Sequence, residues 1–234
     1  MKKIHRFIGT IEIDGATARL IDAEVARQAK SVLKLRMGEL ITVCDGKGAS
    51  WTGPLQGISK EEIEIQIEQT YQGEDGLIRD VTLYLAILKS EHFELAVQKA
   101  VESGVKKIVP MLSKRTIKLH IKQDRIERII REAAEQSGRM VLPQLGEICS
   151  FEQAVDTWKI SGESGVLFDG SGKQLMPSDL SVHVSCFIGP EGGWEEAEIQ
   201  TAKQRGLHIC QLGNLVLRAE TAATIATFIL AQQR

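Results

Sequence analysis

The chain has 234 residues, 43% of them apolar and 26% charged, with a formal net charge of −2. Those are ordinary values for a soluble globular protein, long enough to fold without disulfides or metals as one large domain or two modest ones. No apolar run approaches the roughly 18 residues of a membrane span, and the overall charge argues against a generic nucleic-acid binder. MKKIHRFIGTIEIDG meets polar residues too early for a signal peptide, so the cytoplasm is the expected compartment. Cys44, Cys149, Cys186 and Cys210 stand singly, away from any histidine cluster, which argues against zinc and against a disulfide framework. Cys186 and Cys210 lie in apolar runs and read as core.

The first 70 or so residues read as mostly β. IHRFIGTIEI, ATARLI, ELITVCD, SWTGPLQGI and EEIEIQIEQTY are short, rich in Ile, Val, Thr or aromatics, and punctuated by Gly and Asp as in a small barrel or sandwich. Ile63, Ile65 and Ile67 alternate with Glu62, Glu64, Gln66 and Glu68, the period-2 pattern of a half-buried strand. One helix is predicted among them, AEVARQAKSVLK, capped by Asp22 and ending before Gly38.

Composition shifts at YQGEDGLIRD, residues 71–80, the expected linker. Strands and helices then alternate. VTLYLAIL reads as a strand covered on both faces, EHFELAVQKAVESG as an amphipathic helix closed by Gly104, and KKIVPML as a second strand. DRIERIIREAAEQSGR predicts a helix with Ile126, Ile129, Ile130 and Ala133 on one face and basic residues on others. A helix at FEQAVDTW, strands GVLFD and SVHVSCFIG, helix WEEAEIQTAKQRG, strand LHICQLG and helix RAETAATIATFILAQQ complete the set. Such alternation means an α/β domain with a largely parallel sheet.

Charge is uneven along this half. Residues 99–139 hold 11 Lys or Arg against 5 Asp or Glu, whereas residues 140–200 hold 2 against 10. A near-neutral protein of this kind can present one basic face to phosphate; on charge alone a solvated helix face is the simpler reading.

In open α/β sheets ligands collect at the carboxyl ends of strands, and three such ends are distinctive: LFDGSG at 167–172, IGPEGG at 188–193 and LGNLVLR at 212–218. Gly189, Gly192 and Gly193 leave main-chain groups open to a ligand, while a merely tight turn would use glycine equally well. No Gly-Lys-Ser/Thr follows, and the G-x-G-x-x-G fingerprint is absent, which argues against nucleotide hydrolysis and hydride transfer. Arg218 reads either as a salt-bridge partner of Glu220 or as a substrate clamp.

IGPEGGWEEAE and LGNLVLRAETA, in that order and about twenty residues apart, resemble the RsmE family of SPOUT RNA methyltransferases. EAAEQSGR at 132–139, QKAVESGVKKIVP at 98–110 and HRF at 5–7 are similar to that family too, so the likeness spans nearly the whole chain. It implies an N-terminal PUA-like β-barrel at 1–72 that binds RNA, and a C-terminal α/β domain at 73–234 whose chain end is threaded into a trefoil knot. S-adenosylmethionine is then the methyl donor, held by Leu167 and Phe168, by Gly189 and Gly192, and by Leu212, Gly213 and Leu217, with no metal. The implied reaction methylates N3 of a uridine in 16S ribosomal RNA of the small subunit. Arg218 is the candidate to stabilise the uracil anion, and Glu220 the candidate base or arginine anchor.

A homodimer is implied as well, through a last helix in which Ala222, Ala223 and Ala226 permit close packing; neither DNA nor a membrane is expected as a partner. The barrel end is basic, with 9 Lys or Arg against 6 acids in residues 1–50. RNA contacts are expected from His5, Arg6, Lys30, Lys34 and Arg36 there, and from Lys114, Arg115, Lys118, Lys122, Arg125, Arg128 and Arg139 beyond it. Phe7 and Trp51 read as core before they read as base-stacking platforms. The rival readings are a SPOUT enzyme with another target nucleotide or a ribose 2′-hydroxyl, a non-catalytic RNA-binding module of the same fold, and an ordinary α/β enzyme with a phosphate-bearing substrate.

Overall fold

The computed structural model describes residues 4–117 and 120–233; Lys118 lies outside them. Two compact units result, Met1–Gly76 with Ala134–Leu142, and Leu77–Ala133 with Pro143–Arg234.

The first unit is built on seven strands: β1 His5–Ile8, β2 Thr10–Asp14, β3 Thr17–Ile21, β4 Leu40–Cys44, β5 Ala49–Ile58, β6 Glu62–Gln66 and β7 Gln69–Gln72. They run in the order β1-β4-β5-β6-β3-β2, with β7 also on β5; β1 and β4 are parallel and every other pair is antiparallel. Register on β5 slips between Leu55 and Gly57, so its first half serves β4 and β7 and its second half serves β6. An extra residue of this kind bends a strand and raises its twist.

The alternation in β6 works as its sequence implies. Ile63 and Ile65 are fully buried with Phe7, Leu20, Ile41, Val43 and Leu55, while Glu62, Glu64 and Gln66 stay partly open. Helix α1, Ala23–Arg27, starts where Asp22 Oδ1 accepts from the Glu24 and Val25 amides at 2.9 and 3.2 Å. It is shorter than its sequence predicts, because a π-helical turn over Gln28–Val32 takes over and Lys34 sits at φ +52°.

Residues 134–142 belong to this unit too. Glu135 Oε1 accepts from the Ile8 amide at 2.8 Å, Leu142 N donates to Gly46 O at 2.8 Å, and Lys47 bridges Val141. Asp75 accepts from Arg139 Nε at 2.8 Å and from the Met140 amide at 2.5 Å.

In the second unit come strands β8 Asp80–Ala86, β9 Val105–Leu112, β10 Gln144–Leu145, β11 Cys149–Ser150, β12 Ser164–Gln174, β13 His183–Ile188 and β14 His208–Gln211. All pair in parallel, in the order β10-β9-β8-β13-β12-β14, with β11 also on β9. Helices α2 Ser90–Ser103, α4 Phe151–Ser161, α5 Glu196–Arg205 and α6 Ala219–Gln232 follow the chain; α3, Gln123–Ser137, begins in this unit and ends in the first. Helix α2 stops at Gly104, φ +108°, as the sequence predicts. Ser150 and Gln153 cap α4 reciprocally, at 3.2 and 2.8 Å, which satisfies two of its orphan amides.

Tyr84 and Phe187 stack at 4.5 Å within a core that also holds Phe151, Trp158, Leu167 and Trp194. Burial pushes the Tyr84 phenol up to about 12 and the Cys186 thiol up to about 12. Helix α6 packs on α2 and touches β8 and β13. Ala223 and Ala226 are spent on that packing: both are fully buried within the chain.

Candidate active site

A cavity of about 710 Å³ lies wholly in the second unit, where β12, β13 and β14 end. That volume falls in the range of small-molecule sites. Its walls are the three loops singled out in the sequence, with the first turns of α2 and α6 closing one side.

The loop 189–193 is fixed from several directions. Gly193 N donates to Pro190 O at 2.9 Å, the Lys89 amide donates to Glu191 Oε1 at 3.0 Å, and Arg115 Nη1 donates to Gly192 O at 2.8 Å. Trp194 Nε1 donates to Phe168 O at 3.0 Å, lacing this loop to the first; both groups are buried. Glycine at 189 has a steric reason, since a Cβ there would stand 2.9 Å from the Trp194 ring. On β12 the register breaks between Phe168 and Lys173, which throws 169–172 out as a loop. In the third loop Gly213 adopts φ +147°, a backbone that L side chains rarely reach. Leu215 and Val216 beside it are 82% and 102% exposed.

Of the residues expected around the donor, Phe168, Gly189, Leu212, Gly213 and Leu217 line this cavity, together with Arg218 and Glu220. Two do not. Leu167 is buried in the core, because alternation along β12 turns it away from Phe168, and Gly192 has its carbonyl taken by Arg115.

Arg218 is the exposed N-cap residue of α6, and its side chain has no hydrogen bond or ion pair among the described residues. Glu220 instead meets His92 of α2, Nδ1 to Oε1 3.1 Å, with side-chain exposures of 30% for His92 and 10% for Glu220. The readings of Arg218 as a salt-bridge partner and of Glu220 as an arginine anchor are thereby corrected. His92, Lys89, Trp194 and Glu191 were missed by sequence reasoning, and Asp169 was not singled out. A titratable His in the first turn of the helix that follows β8 was the available signal.

The basic residues expected at RNA divide. Lys34, Arg36, Lys114 and Arg115 are exposed, and His5 is half-buried. Arg6, also half-buried, directs Nη1 at Cys44 Sγ and Met140 Sδ. Arg139 is corrected: it is 8% exposed and ion-paired with Asp75, so its guanidinium is not open to phosphate. Phe7 is core and Trp51 packs against that core. Among the described residues no group of three His, Cys, Asp or Glu could hold a metal ion, and no helix is long and apolar enough to cross a membrane.

Comparison with known proteins bears directly on this cavity. The family model for an RNA methyltransferase domain matches residues 76–231, and that for an RNA methyltransferase PUA domain matches residues 21–68. Ribosomal RNA small subunit methyltransferase E of a Synechocystis strain is 32% identical over 226 residues, covering 92% of this chain and 73% of the relative. The chain belongs to the ribosomal RNA small subunit methyltransferase E family.

The Bacillus subtilis member is 28% identical over 238 residues, 95% of this chain and 93% of its own. A Neisseria gonorrhoeae member solved with S-adenosyl methionine bound is 30% identical, with a TM-score of 0.85 over 96% of this chain and 95% of that one. A Legionella pneumophila structure in complex with the same cofactor gives 27% identity and a TM-score of 0.85, over 97% of each chain. The fold class is accordingly an α/β domain with a parallel sheet, preceded by a PUA-like domain.

Proposed function

We propose that this chain methylates N3 of a uridine in the 16S RNA of the small ribosomal subunit. It is an S-adenosylmethionine-dependent ribosomal RNA methyltransferase. The observation that carries the reading is the convergence of three strand-end loops on one cavity, in a family whose Neisseria gonorrhoeae member was solved with the donor bound.

The residues present fit that donor. Glycines at 189 and 213 leave main-chain groups bare for its polar atoms, and Phe168, Ile188, Leu212 and Leu217 give an apolar wall for an adenine ring. When bound, S-adenosylmethionine supplies an electrophilic methyl group on a positively charged sulfur. The chain's own contribution is to hold the uracil in line with that methyl and to manage charge. Arg218, with no competing partner among the described residues, stabilises negative charge as the uracil loses its N3 proton.

The finer architecture is part of the same proposal: a barrel at 1–72 that engages RNA, and a knotted methyltransferase domain at 73–234. Supporting the knot, β14 lies at the sheet edge beyond β12, yet the chain then returns to pack α6 on α2, β8 and β13. A homodimer is part of the proposal as well, with Phe228 of the last helix an exposed apolar side chain that a second copy would cover. Lys34, Arg36, Lys114 and Arg115 are the exposed cations that would meet phosphate, in the cytoplasm where ribosomes are built.

The test is incubation of the protein with S-adenosylmethionine and unmethylated small subunits, followed by nucleoside mass spectrometry. 3-Methyluridine is expected, with RNA affinity falling steeply as salt rises. A different methylated nucleoside would overturn the uridine assignment.

A further inference from the structure

His92 and Glu220 meet from two different helices at the wall of the cavity, 128 residues apart in the chain. A carboxylate only accepts hydrogen bonds. With Glu220 ionised, the proton of a neutral His92 ring therefore sits on Nδ1, donated to Glu220 Oε1. The electron pair is left on Nε2, which has no partner among the described residues. This is the arrangement of a general base and the group that orients it. Glu220 is poorly placed to be the base itself: it is nearly buried, and one oxygen is already occupied.

We propose that His92 accepts the N3 proton of the target uridine and that Glu220 is its positioning residue. The inference rests on the uridine-N3 reading above. The N3–H bond breaks, with the proton passing to His92 Nε2. The pair left on N3 forms the bond to the methyl carbon as the carbon–sulfur bond breaks toward sulfur. Arg218, at the start of the same helix as Glu220, stands on the same cavity to balance the uracil charge while the proton is in transit. Histidine suits the task because its ordinary titration range lies nearest neutrality. The other charged groups on the cavity are Lys89 before α2 and Asp169 and Glu191 on the loops.

The experiment is single-turnover methylation of small subunits at saturating donor, across pH, with donor affinity measured separately by calorimetry. His92→Asn keeps a side chain that can donate to Glu220 but cannot take a proton. Its rate at neutral pH should fall by about 10²-fold or more, with donor affinity within a few-fold of the parent. The parent, with a base already in place, should gain little rate from alkaline solution. The variant should keep gaining rate into alkaline solution, as the uracil begins to ionise unaided. Glu220→Gln should slow the reaction as well, and the double variant should be little worse than His92→Asn alone, since residues acting as one unit are not additive.

A His92→Asn protein with the parent rate overturns the proposal. So does one that is slow, shows no alkaline recovery and binds the donor poorly, because that marks a structural role. A parent protein that makes no 3-methyluridine at any pH overturns the uridine reading and this inference with it.

Discussion

Replacing Gly189 by alanine tests whether the donor-side loop is as tightly built as it looks. The added Cβ would stand 2.9 Å from Trp194 Cε2, 3.1 Å from Nε1 and 3.2 Å from Cδ2, against about 3.5–4.0 Å for a comfortable carbon contact. The ring has little room to retreat. Trp194 is 6% exposed, its ring centroid lies 5.3 Å from that of Phe151 with the rings tilted by 54°, and its Nε1 is committed to Phe168 O at 3.0 Å. Overpacking of this size costs about 1–3 kcal/mol. A ring that swings away instead leaves a buried N–H and a buried carbonyl unpaired, also worth roughly 1–3 kcal/mol. Both routes give a Gly189→Ala protein destabilised by about 1–3 kcal/mol, read from urea unfolding followed by tryptophan fluorescence. Donor affinity by calorimetry should fall along with stability, since Phe168 and Gly189 both line the cavity. A variant unfolding within about 0.5 kcal/mol of the parent, the size of an ordinary surface change, would refute the account of why glycine stands there.

Three further outcomes are expected. Arg218→Ala should abolish turnover while leaving donor affinity within a few-fold, measured by methyl transfer to small subunits and by calorimetry; a fully active variant would remove Arg218 from the chemistry. Asp75→Ala should cost the first unit about 1–3 kcal/mol in denaturant unfolding, because it removes the carboxylate that pairs with Arg139 and accepts from the Met140 amide. Burial raises the Tyr84 phenol from its ordinary 10.0 to about 12, so the fold favours the neutral form. Its contribution to stability is whole below about pH 10 and is lost as pH climbs from there to about 12; urea midpoints over that window should fall more steeply in the parent than in Tyr84→Phe.

What the sequence disclosed and what it withheld divide along a physical line. Signals carried by neighbours in the chain were readable: the Ile-Glu alternation of β6, Asp22 capping α1, Gly104 stopping α2, and the parallel α/β alternation after residue 80. The same holds for the three glycine-bearing loops, whose chemistry lies in consecutive residues. Features made by distant residues were not readable. Nothing local says that β14 pairs with β12, that β5 shifts register before Gly57 and serves three partners, or that α1 gives way to a π turn. Arg139 looked like a surface cation because its partner, Asp75, is 64 residues away. His92 went unnoticed because its meaning depends on Glu220, which only the packing of α6 on α2 brings to it.

Residues 134–142 complete the first unit from far down the chain. Synthesis therefore reaches residue 76 with that unit still lacking the Glu135 carboxylate on Ile8, the Arg139 charge on Asp75 and the Val141 bridge to Lys47. A chain emerging from the ribosome therefore carries its amino-terminal unit without these contacts through β8, α2, β9 and most of α3. A fragment cut after residue 76 would reproduce that unfinished state permanently, and an excised amino-terminal piece should be engineered with the later nine residues restored.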